Sequence, residues 1–278
     1  PFKQINKFKL MNIEIRDKTA AETFCNIFQH VKIFSEHINI TFNDEQLYIQ
    51  SMDASHIVIF EIHLPKEWFD LYEKTSQGDI VIGIQLGIFS KVLQTRGKTQ
   101  QIRLEYTEET SDKLFIYFAD LADTNASSAS SLHKNFQLPL MDIESEMLAI
   151  PDFDSDVEIK IPSSEMASII SQLQIFGDSL DFICSDSDEK IQVVTQSSET
   201  GKMEVDIINS AQTECQLKED VDMKVSFAIH RMHDICSNTK VAKQIEISIS
   251  DCFPIRIKYD VGGNGKMLFY LAPKVSDT

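Results

Sequence analysis

The chain has 278 residues, is 42% hydrophobic and 25% charged, and carries a formal net charge of −17. It is long enough for one large domain or two ordinary ones and apolar enough to bury a core. The charge excludes a uniformly basic nucleic-acid surface, and no stretch approaches the roughly 18 unbroken apolar residues of a membrane span. In chain order, the opening residues are basic and polar, unlike a secretory signal. Apolar residues at helical spacing, Phe24, Ile27, Phe28 and Val31, then predict a helix over 19–34. Runs rich in β-branched and aromatic residues predict strands at 47–50 and 57–62. A second helix over 86–95 carries Phe89, Val92 and Leu93, and strands at 101–104 and 114–118 follow. Residues 122–131, mostly Ser and Ala, read as a solvated surface loop. Residues 141–156 alternate acids with apolar side chains and hold no base. A third helix over 163–176, opened by Pro162 and a cap-like Ser163 or Ser164, carries Met166, Ile169, Ile170 and Leu173. A strand at 191–194, a fourth helix over 227–238 with Met232 and Ile235, and strands at 245–249 and 255–259 complete the chain.

The order repeats. In each half a helix leads into strands, a second helix, a polar or basic turn and further strands; residues 86–106 and 227–250 match best. Two similar α+β domains are expected, at 1–140 and 157–278, joined by a connector at 141–156, each a sheet with two helices on one face. The five cysteines, Cys25, Cys184, Cys215, Cys236 and Cys252, lack C-x-x-C spacing and are odd in number, so reduced thiols are expected.

Positive charge is local. Residues 80–104 contain no Asp or Glu and hold Lys91, Arg96, Lys98 and Arg103. Residues 235–245 are also acid-free and hold Lys240 and Lys243, just after His230, Arg231 and His233; Lys18 and Lys32 flank the first helix. Both windows fall at the second helix of a repeat and its following turn. Short basic patches are usually ordinary solvated faces, but recurrence at equivalent points of a repeat favours a function. If the repeats formed a ring, a basic bore with an acidic exterior would attract duplex phosphate inside and repel it outside.

Catalytic and metal motifs fare poorly. Asp152, Asp154, Asp156 and Glu158 alternate without the glycine turn or terminal Glu of a calcium loop. Gly262-Gly263-Asn264-Gly265-Lys266 lacks the frame of a phosphate loop and reads as a hairpin turn between Tyr259 and Leu268. His230 and His233 have no third ligand nearby in sequence. No cofactor, metal or catalysis is expected.

Three stretches carry more: Gln50-Ser51-Met52-Asp53-Ala54-Ser55-His56, Glu146-Met147-Leu148-Ala149-Ile150-Pro151 and Tyr270-Leu271-Ala272-Pro273-Lys274-Val275. Together they resemble the DNA sliding clamps of the proliferating-cell-nuclear-antigen type, and the resemblance covers nearly the whole chain. It implies two clamp domains per chain and three chains closing head to tail into a pseudo-sixfold ring. Its seam would be an antiparallel strand pair, residues 133–138 of one chain against 202–207 of the next. It implies a non-enzymatic processivity factor that encircles double-stranded DNA without sequence preference, is placed there by a clamp loader, and tethers DNA polymerase and other replication and repair proteins. The setting would be the nucleus or a viral replication site in an infected cell.

The same resemblance implies a front-face pocket for a partner peptide that presents a Gln and three apolar or aromatic anchors. Its lining would be Met52, His56, Ile57, Leu148, Ile150, Pro254, Tyr270, Ala272, Pro273 and Val275. Bore-facing positions map to Lys32 and Lys91, with Arg96, Lys98, Arg231, Lys240 and Lys243 as basic neighbours. The chain departs from the pattern at Ser168, Ser171 and Ile175, which are basic in relatives, at Ala149, where a Gly is usual, and at Asp186, in place of a modifiable lysine. The missing basic residues on the third helix motivate an alternative: a clamp-like scaffold that does not encircle DNA, or a monomeric polymerase subunit.

Overall fold

A computed structural model describes residues 9–120, 132–144, 147–151, 154–186, 190–251 and 253–274. The chain divides into two compact units. One comprises residues 1–51, 62–147 and 262–265; the other comprises 52–61, 148–261 and 266–278.

In the first half, β1 (Lys9–Ile15) leads to α1 (Lys18–Val31), then to β2 (His37–Phe42), β3 (Gln46–Met52), β4 (Val58–Pro65), β5 (Leu71–Lys74) and β6 (Ile80–Gln85). α2 (Leu86–Gln94) follows, then β7 (Gln100–Thr107), β8 (Lys113–Asp120) and β9 (Lys134–Pro139). The second half repeats the pattern with β10 (Val157–Pro162), α3 (Ser163–Leu173), β11 (Ser179–Ser185), β12 (Lys190–Ser197), β13 (Gly201–Ile207), β14 (Glu214–Leu217) and β15 (Asp222–Ala228). It ends with α4 (Ile229–Cys236), β16 (Gln244–Ile249), β17 (Ile255–Gly262) and β18 (Gly265–Leu271). Each half is therefore strand, helix, five strands, helix, three strands.

Pairing repeats with the order. β1 lies between β5 and β7, followed by β8 and β9; β10 lies between β14 and β16, followed by β17 and β18. β2 lies between β6 and β3, with β4 beyond; β11 lies between β15 and β12, with β13 beyond. The halves differ at one junction. β18 also borders β4, whose first residues share its unit, whereas β9 and β13 each end a sheet and pair on one side only.

The helices form where apolar spacing demands it. Ala21, Phe24, Ile27, Phe28 and Val31 make one buried stripe of α1, which packs on β1, β7 and α2. Phe28 meets Phe89 of α2 edge to face, with centroids 4.7 Å apart. Asp17 opens α1 by accepting the Ala20 amide at 2.8 Å. In the second unit α3 packs on β10, β16 and α4, and Phe182 lies 6.0 Å from Phe227. The buried Tyr259 hydroxyl donates to the Ile235 carbonyl at 2.6 Å, tying β17 to the end of α4.

Four expectations need correction. The strands of each half fall into two groups in different sheets, not one sheet. The fourth helix starts at Ile229, because Met223, Val225 and Phe227 alternate inward as part of β15. Neither Ser163 nor Ser164 caps α3: the cap position is Pro162, and the Ser163 hydroxyl instead donates to the Ala242 carbonyl at 2.6 Å. Ile57 precedes β4 and belongs to the loop before it. The hairpin turn joining β17 to β18 is present, with Gly263 and Asn264 at φ 55° and 61°, the left-handed pair of a tight two-residue turn.

Candidate partner pocket and basic surface

β3 delivers Met52 to a five-residue loop that re-enters the sheet at Val58. Asp53, fully buried, organises this loop. One carboxylate oxygen accepts the amides of Ile57 at 2.9 Å and Val58 at 2.8 Å. The other accepts the Ser55 hydroxyl and faces Arg231 of α4, at 3.1 Å. The Asp53 amide donates to the Val58 carbonyl, and the His56 amide to the Asp53 carbonyl, at 2.9 and 3.0 Å. The turn forces His56 to φ 60°, a conformation uncommon outside glycine, and leaves its side chain exposed. Burial pushes the Asp53 carboxyl up, but bonds from Ser55, Val58 and Ile57 and the Arg231 charge outweigh it and hold the group below the usual carboxylate range.

The C-terminal segment meets this loop. The Ala272 amide donates to the Ile57 carbonyl at 3.0 Å, and the Lys274 amide to the Ser226 carbonyl at 2.7 Å. Tyr270, largely buried, donates its hydroxyl to Glu61 at 3.1 Å. Met52, Ile57, Ala272 and Pro273 are half-buried around this junction. Leu148 is 42% exposed, Ile150 and Pro254 are half-buried, and all three belong to the same unit. Val275 lies outside the described residues. Met, Ile, Pro and Ala beside a backbone-fixed loop make an adaptable apolar surface, suited to short apolar anchors.

The connector begins in the first unit. The Met141 amide donates to the Gly83 carbonyl at 2.9 Å, and Asn39 Nδ2 donates to the Ile143 carbonyl at 2.9 Å. Gly83 is needed there, because a Cβ would stand 2.2 Å from the Met141 carbonyl oxygen.

Of the expected basic surface, Lys32, Lys91, Lys98, Lys240 and Lys243 are exposed. The two arginines are engaged elsewhere. Arg96 turns back into its own turn and donates through Nη1 to the carbonyls of Gly97, Lys98 and Gln100, at 3.1, 3.3 and 2.7 Å. Arg231 donates to Asp53 and, at 2.8 Å, to Ser55, and lies 3.6 Å from Asp234. In the sequence both are simply positive charges. A guanidinium is also a rigid fork that seeks fixed acceptors. The only local signal for Asp53 was residue type, since an Asp side chain readily accepts nearby backbone amides in a turn. Ser168 and Ser171 on α3, and Ile175 just beyond its end, are all exposed and uncharged.

The alternating acids are locally satisfied. Lys218 lies 2.8 Å from Asp154 and 3.5 Å from Asp156, the Ser250 hydroxyl donates to Asp156 at 2.6 Å, and that of Ser155 to Glu158 at 2.7 Å. Asp152 lies outside the described residues. No metal-holding cluster of His, Cys, Asp or Glu occurs among the described residues. Cys25, Cys184, Cys215 and Cys236 are free thiols. No described helix is long and apolar enough to cross a membrane.

A duplicated α+β half, in which sheets flank a helix pair and an acidic connector joins the halves, defines a two-domain clamp. The family models agree. That of the proliferating cell nuclear antigen N-terminal domain matches residues 12–147, and that of the C-terminal domain matches residues 149–274. The chain is similar to proliferating cell nuclear antigen of Caenorhabditis elegans, at 27% identity over 242 residues, 84% of this chain and 87% of that protein. This chain belongs to the proliferating cell nuclear antigen family, as a divergent member, and is a clamp-type processivity factor rather than an enzyme.

Proposed function

We propose that three copies of this chain close into a ring around double-stranded DNA in the nucleus, after placement by a clamp loader. The ring tethers DNA polymerase and other replication proteins through peptides bound between residues 52–57, the connector and residues 270–273. The exposed lysines Lys32, Lys91, Lys98, Lys240 and Lys243 line the bore and attract phosphate weakly enough for sliding.

One observation supports closure above others. β18 and β9 are equivalent in the repeat, as are β4 and β13, and β18 already borders β4. Pairing β9 of one chain with β13 of the next reuses that junction between copies and covers two open edges. Antiparallel pairing of 133–138 with 202–207 also sets residue 132 opposite residue 208. These are Leu132 and Ile208, among the most exposed large apolar side chains, at 66% and 71%.

The alternative, a scaffold that does not encircle DNA, is supported by the exposed, uncharged positions Ser168 and Ser171 of α3. Sedimentation separates the two: a stable trimer favours the ring, a strict monomer the alternative. For the bore, Lys91→Glu with Lys98→Glu is expected to abolish polymerase stimulation on a circular template while leaving assembly intact. Undiminished stimulation would refute the assignment.

A further inference from the structure

We propose that Arg231 is a positioning residue of the partner pocket, a latch that fixes the loop carrying Met52, His56 and Ile57 to helix α4. The inference rests on the peptide-pocket reading above, and it removes Arg231 from the DNA-facing set.

The geometry forms one continuous chain of bonds. Arg231 rises from α4 and grips Asp53 at 3.1 Å and Ser55 at 2.8 Å. Asp53 in turn holds the amides of Ile57 and Val58. The Ile57 carbonyl receives the Ala272 amide. Each link passes a constraint from the helix to one wall of the pocket and then to the other. The grip also orients the carboxylate: with Arg231 and Ser55 on one oxygen, the other is left for the two backbone donors. The left-handed backbone of His56 needs such support, because an isolated loop relaxes away from that conformation.

Charge accounting points the same way. Asp53 is 3% exposed, and a carboxylate at that depth requires partners. Arg231 supplies the only cationic group bonded to it among the described residues. Asp234, one turn on, shares the guanidinium at 3.6 Å. A group neutralised by two carboxylates has little charge left for phosphate, and its direction is fixed toward the loop.

The test uses the full chain and two probes. One is a fluorescent synthetic peptide holding a Gln and three apolar or aromatic anchors; the other is a labelled DNA duplex at low salt. Arg231→Ala is expected to weaken peptide binding about tenfold and leave duplex binding unchanged, with faster hydrogen exchange at the Ile57 and Val58 amides. Arg231→Lys should recover part of the loss, since a lysine keeps the charge but cannot fork to both Asp53 and Ser55. It also serves as the folded variant should the alanine form be unstable. Leu148→Ser with Pro273→Ser is the pocket control. If that control abolishes peptide binding while both Arg231 variants bind as the parent does, the latch is wrong and the pocket stands. Loss of duplex binding with unchanged peptide affinity overturns the latch in favour of a DNA contact. Peptide binding by the control equal to the parent's overturns the pocket, and the latch with it.

Discussion

Replacing Ile208 with Asp tests the proposed ring at its seam. Ile208, just beyond β13, and Leu132, just before β9, are 71% and 66% exposed in the single chain. Fully burying an Ile or Leu side chain is worth about 1.5–3 kcal/mol, so covering the exposed two-thirds of each contributes about 1–2 kcal/mol. Asp at 208 forfeits its own share and sets a carboxylate against Leu132, costing about 2 kcal/mol more. The sum, about 3–4 kcal/mol per seam, is a loss of two to three orders of magnitude in subunit affinity. Sedimentation velocity over a wide dilution series reads this directly: the parent should stay trimeric where the variant has dissociated. Ile175→Asp, which removes an isoleucine 67% exposed beyond the end of α3, should leave assembly unchanged. If the Ile208 variant follows the parent's dilution profile, β9 and β13 do not meet as argued and the equivalence with the β18–β4 junction is accidental.

Other expectations are local. Gly83→Ala should detach the start of the connector, because a Cβ 2.2 Å from the Met141 carbonyl oxygen forces that strand away by about 1 Å. Hydrogen exchange at Met141 should then rise at least tenfold, and unchanged protection would refute the anchor. Asp53→Asn should destabilise the protein at neutral pH. The folded Asp53 carboxyl is held below its unfolded value of about 3.9, so its contribution is present above that pH and is lost as pH falls through the folded value. The stability gap between parent and variant should therefore narrow below about pH 4; a gap constant with pH would remove the ionised carboxylate from the account. Burial pushes the Cys184 and Cys236 thiols up to about 12. Iodoacetamide at about pH 8 should spare both until the chain is unfolded, and rapid native labelling would contradict the packing.

The helices were legible because each shows an apolar stripe of period near 3.6, and the central strands because β-branched residues crowd into them. Two edge strands were placed only through the family resemblance, although β9 and β13 do alternate, with Phe136 and Leu138, and Met203, Val205 and Ile207, set between exposed neighbours. The short β5 and β14 give too few residues for any period. Ser163 shows how a correct boundary can carry a wrong mechanism. It does open α3, yet its hydroxyl is used across the fold by Ala242, a partner 79 residues away that local pattern cannot reveal. The loop at 53–57 was legible as a motif but not as a device, since Asp53 acts through Arg231, 178 positions along the chain.

Arginine and lysine divide their labour in this chain. All five arginines, Arg16, Arg96, Arg103, Arg231 and Arg256, bond to acceptors within the protein. Their forks are spent on turn carbonyls, carboxylates and hydroxyls, where planar geometry is useful. The expected bore is left to lysines on exposed helix ends and turns. A lysine is a mobile, strongly hydrated point charge that attracts phosphate without fixing its direction. On the ring proposal this choice suits a clamp that stays on DNA yet moves along it: bidentate arginines would create preferred registers on the backbone, whereas lysines would leave the sliding surface smooth. On this reading the net charge of −17 is no obstacle, because retention depends on closure of the ring, and the bore needs only enough lysine to keep the duplex centred.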